Sequence, residues 1–359
     1  GTYDYVVDRR FQDVRLTDAG HVRAEELTRD LGGPWRSPRR REELLTQALA
    51  ARELYILGDQ YVVQDGRVVI IDEFTGRLLP DRTWRDGLHQ AVEAKEGLDV
   101  QSMQETLARI SFQRFFSLYD HLGGMTGTAR ECATELWQTY RLPVVCLPTH
   151  KPCAREPLPQ VTVATTEEKW NRVIDEITRV HGGGRPVLVG TRSVAASEQL
   201  STLLHAQGLE HEVLNAVRHA EEAEIVASAG QPGRITIATN MAGRGTDIAL
   251  GSGVAEAGGL HVLATERHES PRVDRQLYGR AGRQGDPGSA RTIAALTDEV
   301  IRRYAGPMQW LGRVAGPARR SVFRVAQRRA QAMAARRRRQ VMRSDETYEE
   351  SLGFAGQEQ

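Results

Sequence analysis

Between residues 160 and 296 the chain repeats one pattern: a short apolar run, a turn, then a stretch with helical periodicity. The apolar runs are Val161–Ala164, Pro186–Gly190, His211–Asn215, Ile235–Ala238 and Gly259–Ala264, with Ala290–Leu296 as a last one. Helical patterns occupy Thr166–His181, Ser193–Gln207 and Ala220–Ala229. Short, mainly apolar runs without alternation, such as Pro186–Gly190 and Ile235–Ala238, suit strands buried on both faces. Alternation with helices makes the sheet parallel, because parallel neighbours need a crossover connection. The expected fold class is α/β, a parallel sheet with helices on both faces. Ligands of such sheets bind beyond the carboxyl ends of the strands, where Thr191, Asn240 and Thr265 fall.

The run at Ile235 leads into Thr239-Asn-Met-Ala-Gly243-Arg244-Gly245-Thr-Asp247. Glycines at 243 and 245 let the backbone approach a ligand or take positive φ. Arg244 supplies a cation and Asp247 an acceptor. Further on, Gln276-Leu-Tyr-Gly-Arg280-Ala-Gly-Arg283 places two arginines three apart, on one face if the stretch is helical. Planar guanidinium forks at such spacing suit polyphosphate, and an arginine supplied from a neighbouring domain stabilises phosphoryl transfer. Two arginines and a glycine loop are also what ordinary surface ion pairs produce. Both segments together, in order and on an α/β background, are more specific.

Upstream, Tyr3–Asp8 and Asp13–Thr17 read as paired strands, and Thr17-Asp-Ala-Gly20 opens a helix toward Leu31 that Gly32-Gly-Pro34 stops. Glu42–Tyr55 reads as a second helix. Tyr61–Val63 and Val68–Ile71 form a hairpin around Asp65-Gly66. The hairpin ends in Asp72-Glu73, which looks like a Walker B pair for magnesium. Such a pair works with a phosphate loop N-terminal to it, and no G-x-x-x-x-G-K-[ST] occurs in these 359 residues, so Asp72-Glu73 is assigned to a structural turn. Leu107–Leu122 carries Ile110, Phe112, Phe115, Phe116 and Tyr119 at helical spacing, as a helix burying a core face would. Val144–Leu147 reads as a buried strand. Pro148–Pro159, with prolines at 148, 152, 157 and 159, reads as a linker. His219 and His268 could serve as general bases, but nothing near them completes a triad or metal site, so solvated or capping roles are expected.

Segments along most of the chain resemble the SecA family, ATPase motors of bacterial protein secretion built on the superfamily 2 helicase plan. They are Asp72-Glu-Phe-Thr-Gly-Arg77, Trp84–Gly97, Gly124-Met-Thr-Gly-Thr-Ala129, Pro186-Val-Leu-Val-Gly-Thr191, Gly259–Ser270, and the pair of segments holding Asp247, Arg280 and Arg283. The resemblance implies a RecA-like fold for the parallel sheet. It also implies four regions: residues 1–57 as the end of a preprotein cross-linking domain, 58–150 as the C-terminal part of a first nucleotide-binding domain, 151–300 as the second, and 301–359 as a shortened helical scaffold and tail. By the same resemblance, Asp247 contacts the nucleotide, Gly243, Arg244 and Gly245 shape its loop, and Arg280 and Arg283 face the phosphates as catalytic groups. Thr126, Gly127, Thr128 and Gln276 would couple nucleotide to domain movement, and Arg272 would bridge to the first motor domain. The implied cofactors, ATP and Mg, both need a phosphate loop and Walker B that the resemblance places upstream of this chain. Without them the chain is expected neither to bind ATP tightly nor to hydrolyse it. Tyr278 departs from the family, which more often has arginine there, and this puts a further phosphate contact in doubt. The implied partners are the SecY/SecE/SecG channel, preprotein signal peptides and mature segments, anionic phospholipid and a homodimer.

Composition adds limits. The formal net charge is +1, so no global field selects a polyanion. Arginine supplies 45 of the 48 basic residues, a mark of a GC-rich genome. Cys132, Cys146 and Cys153 have no C-x-x-C spacing, which favours a reducing compartment and excludes a structural zinc knuckle. No apolar run reaches bilayer-spanning length and no signal peptide pattern occurs, so a cytoplasmic chain at the inner face of the cell membrane is expected. Ile301–Arg343 holds 13 arginines and no acidic residue, with Val322, Val325, Ala326, Ala330, Met333 and Val341 as a partial apolar face. It reads as one long helix that packs on the motor, binds anionic lipid, or contacts nucleic acid, the last being the weakest reading. Asp345–Gln359 is acidic and expected to fray. Two rival classes stay open: half of a superfamily 2 RNA helicase, and a non-enzymatic regulator docking on SecY or SecA.

Overall fold

The computed structural model describes residues 3–9, 12–72, 78–102, 110–214, 222–239, 246–306 and 317–355. They fall into two compact units, the first made mainly of residues 1–105. In it, β1 (Tyr5–Asp8) and β2 (Asp13–Leu16) pair antiparallel. Thr17 caps α1 (Asp18–Thr28), its hydroxyl accepting from the Gly20 amide. α2 (Pro38–Glu53) begins earlier than expected because Ser37 supplies the cap and Pro38 a ready-set first turn. β3 (Tyr61–Gln64), β4 (Arg67–Ile71) and β5 (Leu78–Leu79) form a three-stranded antiparallel sheet. Asp65 and Gly66 both take positive φ between β3 and β4, as a two-residue hairpin requires. α3 (Leu88–Lys95) closes a core of Ala51, Tyr61, Val68 and Val92, with Trp84 edge-on to Tyr55 and Tyr61. Asp72 is described; Glu73 to Arg77 lie outside the described residues, as does His219.

The second unit carries α4 (Phe112–Ser117), α5 (Ala133–Tyr140) and then a parallel α/β sheet. Its strands are β6 (Arg155–Pro157), β7 (Val161–Val163), β8 (Val187–Thr191), β9 (Glu212–Leu214), β10 (Ile235–Thr239), β11 (Leu260–Ala264) and β12 (Gly288–Ala295). The order is β6-β12-β11-β8-β10-β9, with β7 continuing the β6 edge along β12, and every pairing is parallel. β8, β10 and β11 are buried at every position, as continuous apolar runs require. α6 (Thr166–His181), α7 (Val194–Ala206), α8 (Glu222–Ser228) and α9 (Pro271–Tyr278) cover the two faces. α6 shows how the sequence places one of them. Thr165 caps it by accepting from the Glu168 amide, and Trp170, Val173, Ile177 and Val180 recur at helical spacing to bury one face. Each such side chain contributes about 1.5–3 kcal/mol.

Four expectations are corrected. Val144–Leu147 is not a strand, and Val145 and Leu147 are exposed. The helix expected over 107–122 is confined, among the described residues, to α4. Its Phe112, Phe115 and Phe116 and the following Tyr119 are exposed, not core. The arginine-rich tail is two helices, α10 (Glu299–Tyr304) and α11 (Pro317–Ala355), and α11 continues through the acidic stretch expected to fray. Val322, Phe323 and Ala326 of α11 pack on Val300, Ile301 and Ala305. No helix among the described residues is long and apolar enough to cross a membrane.

The fourth correction concerns His268, which is buried and not solvated. Asp274 on α9 is 1% exposed and collects four donors. His268 gives its amide at 2.9 Å and Nδ1 at 2.7 Å, Arg267 Nη1 gives one at 3.0 Å, and Gln327 Nε2 of α11 gives one at 2.8 Å. Gln327 Nε2 also donates to the His268 carbonyl at 2.8 Å. Burial opposes ionisation of Asp274, but the His268 and Arg267 contacts prevail and hold its carboxyl below the usual range. At the amino ends of the strands a second polar cluster is closed off. His261 is fully buried, with Nδ1 2.8 Å from Ser289 Oγ and Nε2 3.4 Å from Glu176 Oε1. Arg185 donates to Ser289 Oγ and to the Gly258 and Gly259 carbonyls, and Arg291 donates to Glu176.

Replacing Asp274 by Ala removes the shared acceptor of these four donors and should destabilise the chain by about 3–5 kcal/mol in urea unfolding at pH 7; an unchanged midpoint would contradict the hub. Burial, reinforced by the Arg185, Arg179 and Arg291 charges against Glu176, pushes His261 down to about 4 from 6.5. The unfolded chain therefore takes up a proton between pH 6.5 and 4 that the folded chain refuses, and stability falls as pH falls through that window. The loss from pH 7 to pH 4 should be about 3 kcal/mol larger in the native chain than in His261→Asn. Equal losses in the two would show that His261 is not the source.

Candidate functional site

The sequence pointed to two segments that reach the same end of the sheet, beyond its carboxyl edge. β10 ends at Thr239, and the loop that follows returns at Thr246 and Asp247. Gly243, Arg244 and Gly245 lie outside the described residues. α9 starts at Ser270, whose hydroxyl accepts from the Arg272 amide, and it stops at Tyr278. Arg280 and Arg283 therefore do not share a helix face. They stand on the turn after α9, which passes through Gly282 at φ +68°.

That turn still brings the two arginines together. Arg280 Nη1 donates to the Thr246 carbonyl at 3.1 Å, and Arg283 Nη1 donates to the same carbonyl at 3.3 Å. Arg283 Nη1 also meets Asp247 Oδ1 at 2.7 Å, and its Nε donates to the Gly279 carbonyl at 3.0 Å. The Arg283 guanidinium holds the Asp247 carboxyl below its ordinary range. Asp247 is 61% exposed and Arg283 35%, so this ion pair contributes only about 0.2–1 kcal/mol. The pair is a weak, exchangeable contact, not a structural staple.

Two guanidiniums converge on one carbonyl beside an exposed carboxylate, and the residues fit a polyphosphate. They do not fit a metal ion. The Asp247 carboxylate pairs with a guanidinium, Arg283, and not with other metal-ligating side chains. No group of three metal-ligating side chains occurs among the described residues. Tyr278 is not part of the cluster: its hydroxyl lies 2.5 Å from Thr292 Oγ1 on β12.

The expected coupling residues form a second contact beside the first. Thr126 and Thr128 hydroxyls are 3.2 Å apart, the Thr128 amide donates to Thr126 Oγ1, and Gln276 Nε2 of α9 donates to Thr128 Oγ1 at 3.5 Å. Gly127 sits between them with open space where a Cβ would stand. Sequence reasoning missed the acid that ties this segment down. Glu131 pairs with Arg275 Nη1 at 2.5 Å, and Arg275, with Arg272 adding a smaller share, holds the Glu131 carboxyl down. Arg272 thus has a carboxylate neighbour within this chain. Glu135 of α5 pairs in turn with Arg338 of α11. The recurrence of Glu131 and Glu135 at i,i+4 among apolar residues was the available signal.

A family model described as the SecA P-loop domain matches residues 152–255 and 252–311, and one described as the SecA preprotein cross-linking domain matches residues 1–93. A protein translocase subunit SecA 2 from Bordetella avium is 48% identical over 362 residues, covering 98% of this chain and 55% of that protein. A protein translocase subunit SecA from Oleidesulfovibrio alaskensis is 50% identical over 315 residues, 86% of this chain and 36% of that protein. The chain thus spans about half the length of the SecA 2 proteins it matches. Among solved structures, the Escherichia coli DEAD-box protein SrmB aligns with 42% of this chain at 17% identity and a TM-score of 0.34. With two SecA domain models matched in order and relatives near half identity across nearly its whole length, the chain belongs to the SecA family.

Proposed function

We propose that this chain works in ATP-driven movement of preproteins through a SecY-type channel, contributing the second of two nucleotide-binding domains. The observation that carries this reading is the convergence of Arg280, Arg283 and Asp247 beyond the carboxyl edge of a parallel sheet. In it, residues 151–300 are the second nucleotide-binding domain, 58–150 belong to the first, 1–57 end a preprotein cross-linking domain, and 301–359 are the scaffold. Magnesium and the phosphate loop belong to residues outside this chain. ATP supplies the free energy when bound. Arg280 and Arg283 bind and orient its phosphates and stabilise negative charge developing on them. Asp247 holds Arg283 in place until a stronger anion competes for it. The contacts of Gln276 with Thr128 and of Arg275 with Glu131 tie that site to the 126–131 segment, so a shift of one moves the other.

The arginine-rich face of α11, with Arg336, Arg339 and Arg343 exposed, suits anionic phospholipid at the inner face of the cell membrane. Preproteins, SecY/SecE/SecG and a second copy complete the partners of this reading, and nucleic acid is not one of them.

Two measurements test it. The purified chain should show no ATP hydrolysis above background, and turnover abolished by Arg283→Ala would overturn the assignment of the phosphate loop to another chain or segment. A fluorescent signal peptide should bind saturably, while single-stranded RNA should not compete at 150 mM salt, a concentration at which phosphate-contact binding is already weakened by roughly tenfold or more relative to low salt. Salt-sensitive RNA binding with no peptide affinity would favour the helicase reading instead.

A further inference from the structure

The stretch read from sequence as a proline-rich linker is built into the arginine turn. β6 lies inside it and pairs with β12, Arg155 opposite Gly288. Arg155 Nη1 donates to the Tyr278 carbonyl at 3.1 Å and to the Ala281 carbonyl at 3.2 Å. Tyr278 is the last residue of α9, where carbonyls have no partner within the helix and the helix dipole favours a cation. Ala281 lies between the two arginines of the site. The Cys153 thiol sits 4.0 Å from the Gly282 carbonyl. A Cβ on Gly282 would stand 2.6 Å from Arg155 Cβ, and one on Gly285 would stand 2.8 Å from Lys151 Cδ. Residues 151–155 therefore cradle the 279–285 backbone with no spare room, while the side chains of Arg280 and Arg283 reach away to Thr246.

From this arrangement we propose that Arg155 is the positioning residue of the arginine pair: it fixes the turn so that both guanidiniums meet phosphate together, and it makes segment 151–155 a lever on that site. The proposal rests on the polyphosphate reading given above. Arg155 touches neither Thr246 nor Asp247 through any contact found among the described residues, so its influence runs through the backbone it holds. A guanidinium is suited to this because one rigid fork can serve two carbonyls at once. Lysine, a point charge with rotatable donors, can reach the same carbonyls with less geometric control.

The test uses the whole chain and inorganic tripolyphosphate, titrated by calorimetry while the Arg283 Nε–Hε resonance is followed by NMR. Arg155→Ala should weaken tripolyphosphate binding about tenfold, in line with the loss of one or two hydrogen bonds' worth of preorganisation, and should move or broaden the Arg283 resonance before any ligand is added. Arg155→Lys should recover most of the affinity. Gly282→Ala, which forces the turn off Arg155 without touching a cation, should act in the same direction. If Arg155→Ala does not fold, Arg155→Lys and Gly282→Ala carry the decision. Native affinity with an unmoved Arg283 resonance in Arg155→Ala, or in Gly282→Ala, overturns the proposal. The double variant Arg280→Ala with Arg283→Ala separates the two levels: if it binds tripolyphosphate as the native chain does, the phosphate reading falls, while a displaced Arg283 resonance in Arg155→Ala would still establish the positioning role.

Discussion

A carboxylate removed from water is tolerable only when its lone pairs are filled and its charge is answered. Asp274, on α9, meets both conditions by drawing donors from two places far apart in sequence: the 267–268 loop after β11 and Gln327 on α11. Each donor group is thereby fixed in direction as well as distance. α9 cannot slide without uncovering the charge, and α11 cannot roll without losing Gln327. The placement of the two arginines depends on α9, because the turn that carries Arg280 and Arg283 begins where α9 ends. Close approach completes the placement. Leu277 on α9 lies so near Gly190 of β8 that a Cβ there would fall 2.4 Å from Leu277 Cδ2, so that strand position has room only for hydrogen.

The two ends of the sheet are built on different terms. At the amino ends, His261, Ser289, Glu176, Arg185 and Arg291 form a closed set in which the buried imidazole is kept neutral. Nothing there is arranged to exchange partners with solvent. At the carboxyl ends, Asp247 and Arg283 are open to water and their pairing is worth little. The division follows from geometry. Loops at the carboxyl edge of a parallel sheet splay apart and leave a crevice, whereas the opposite edge is closed by the helices returning to it.

Much of this was legible in the sequence. The strands of the sheet could be read because burial on both faces leaves an unbroken apolar run, and β8, β10 and β11 are buried throughout. α6 could be read because capping and a 3.6-residue period agree. Val144–Leu147 failed because an apolar run records hydrophobicity and not pairing, and no strand among the described residues takes up its backbone. Phe112, Phe115 and Phe116 failed for a related reason: helical spacing gives a common face but not what covers it. Of the site, Asp247, Arg280 and Arg283 were identified by residue type, yet the helix supposed to align them ends at Tyr278. Arg155 was hidden altogether, since a proline-rich stretch reads as a connector and only the fold puts it against Ala281 and Tyr278. Asp274 was hidden because an acid on a polar helix looks solvated until its neighbours are known.

The contacts made by the two arginines also explain how a site can be rigid and receptive together. Arg280 and Arg283 both donate to the Thr246 carbonyl, and Arg283 also to that of Gly279. Hydrogen bonds from a guanidinium to a neutral acceptor are weaker than those to an anion, by roughly a factor of two. A phosphate oxygen arriving at the cluster would outcompete the Thr246 carbonyl and the exposed Asp247 carboxylate without disturbing what fixes the backbone. Had Arg283 been anchored by a buried carboxylate, as Arg267 is by Asp274, its charge would already be neutralised and extraction would leave an unpaired buried anion. With the turn fixed where α9 ends and Arg283 held by the Thr246 and Gly279 carbonyls and an exposed carboxylate, the Arg283 guanidinium is oriented in advance while its partners stay exchangeable.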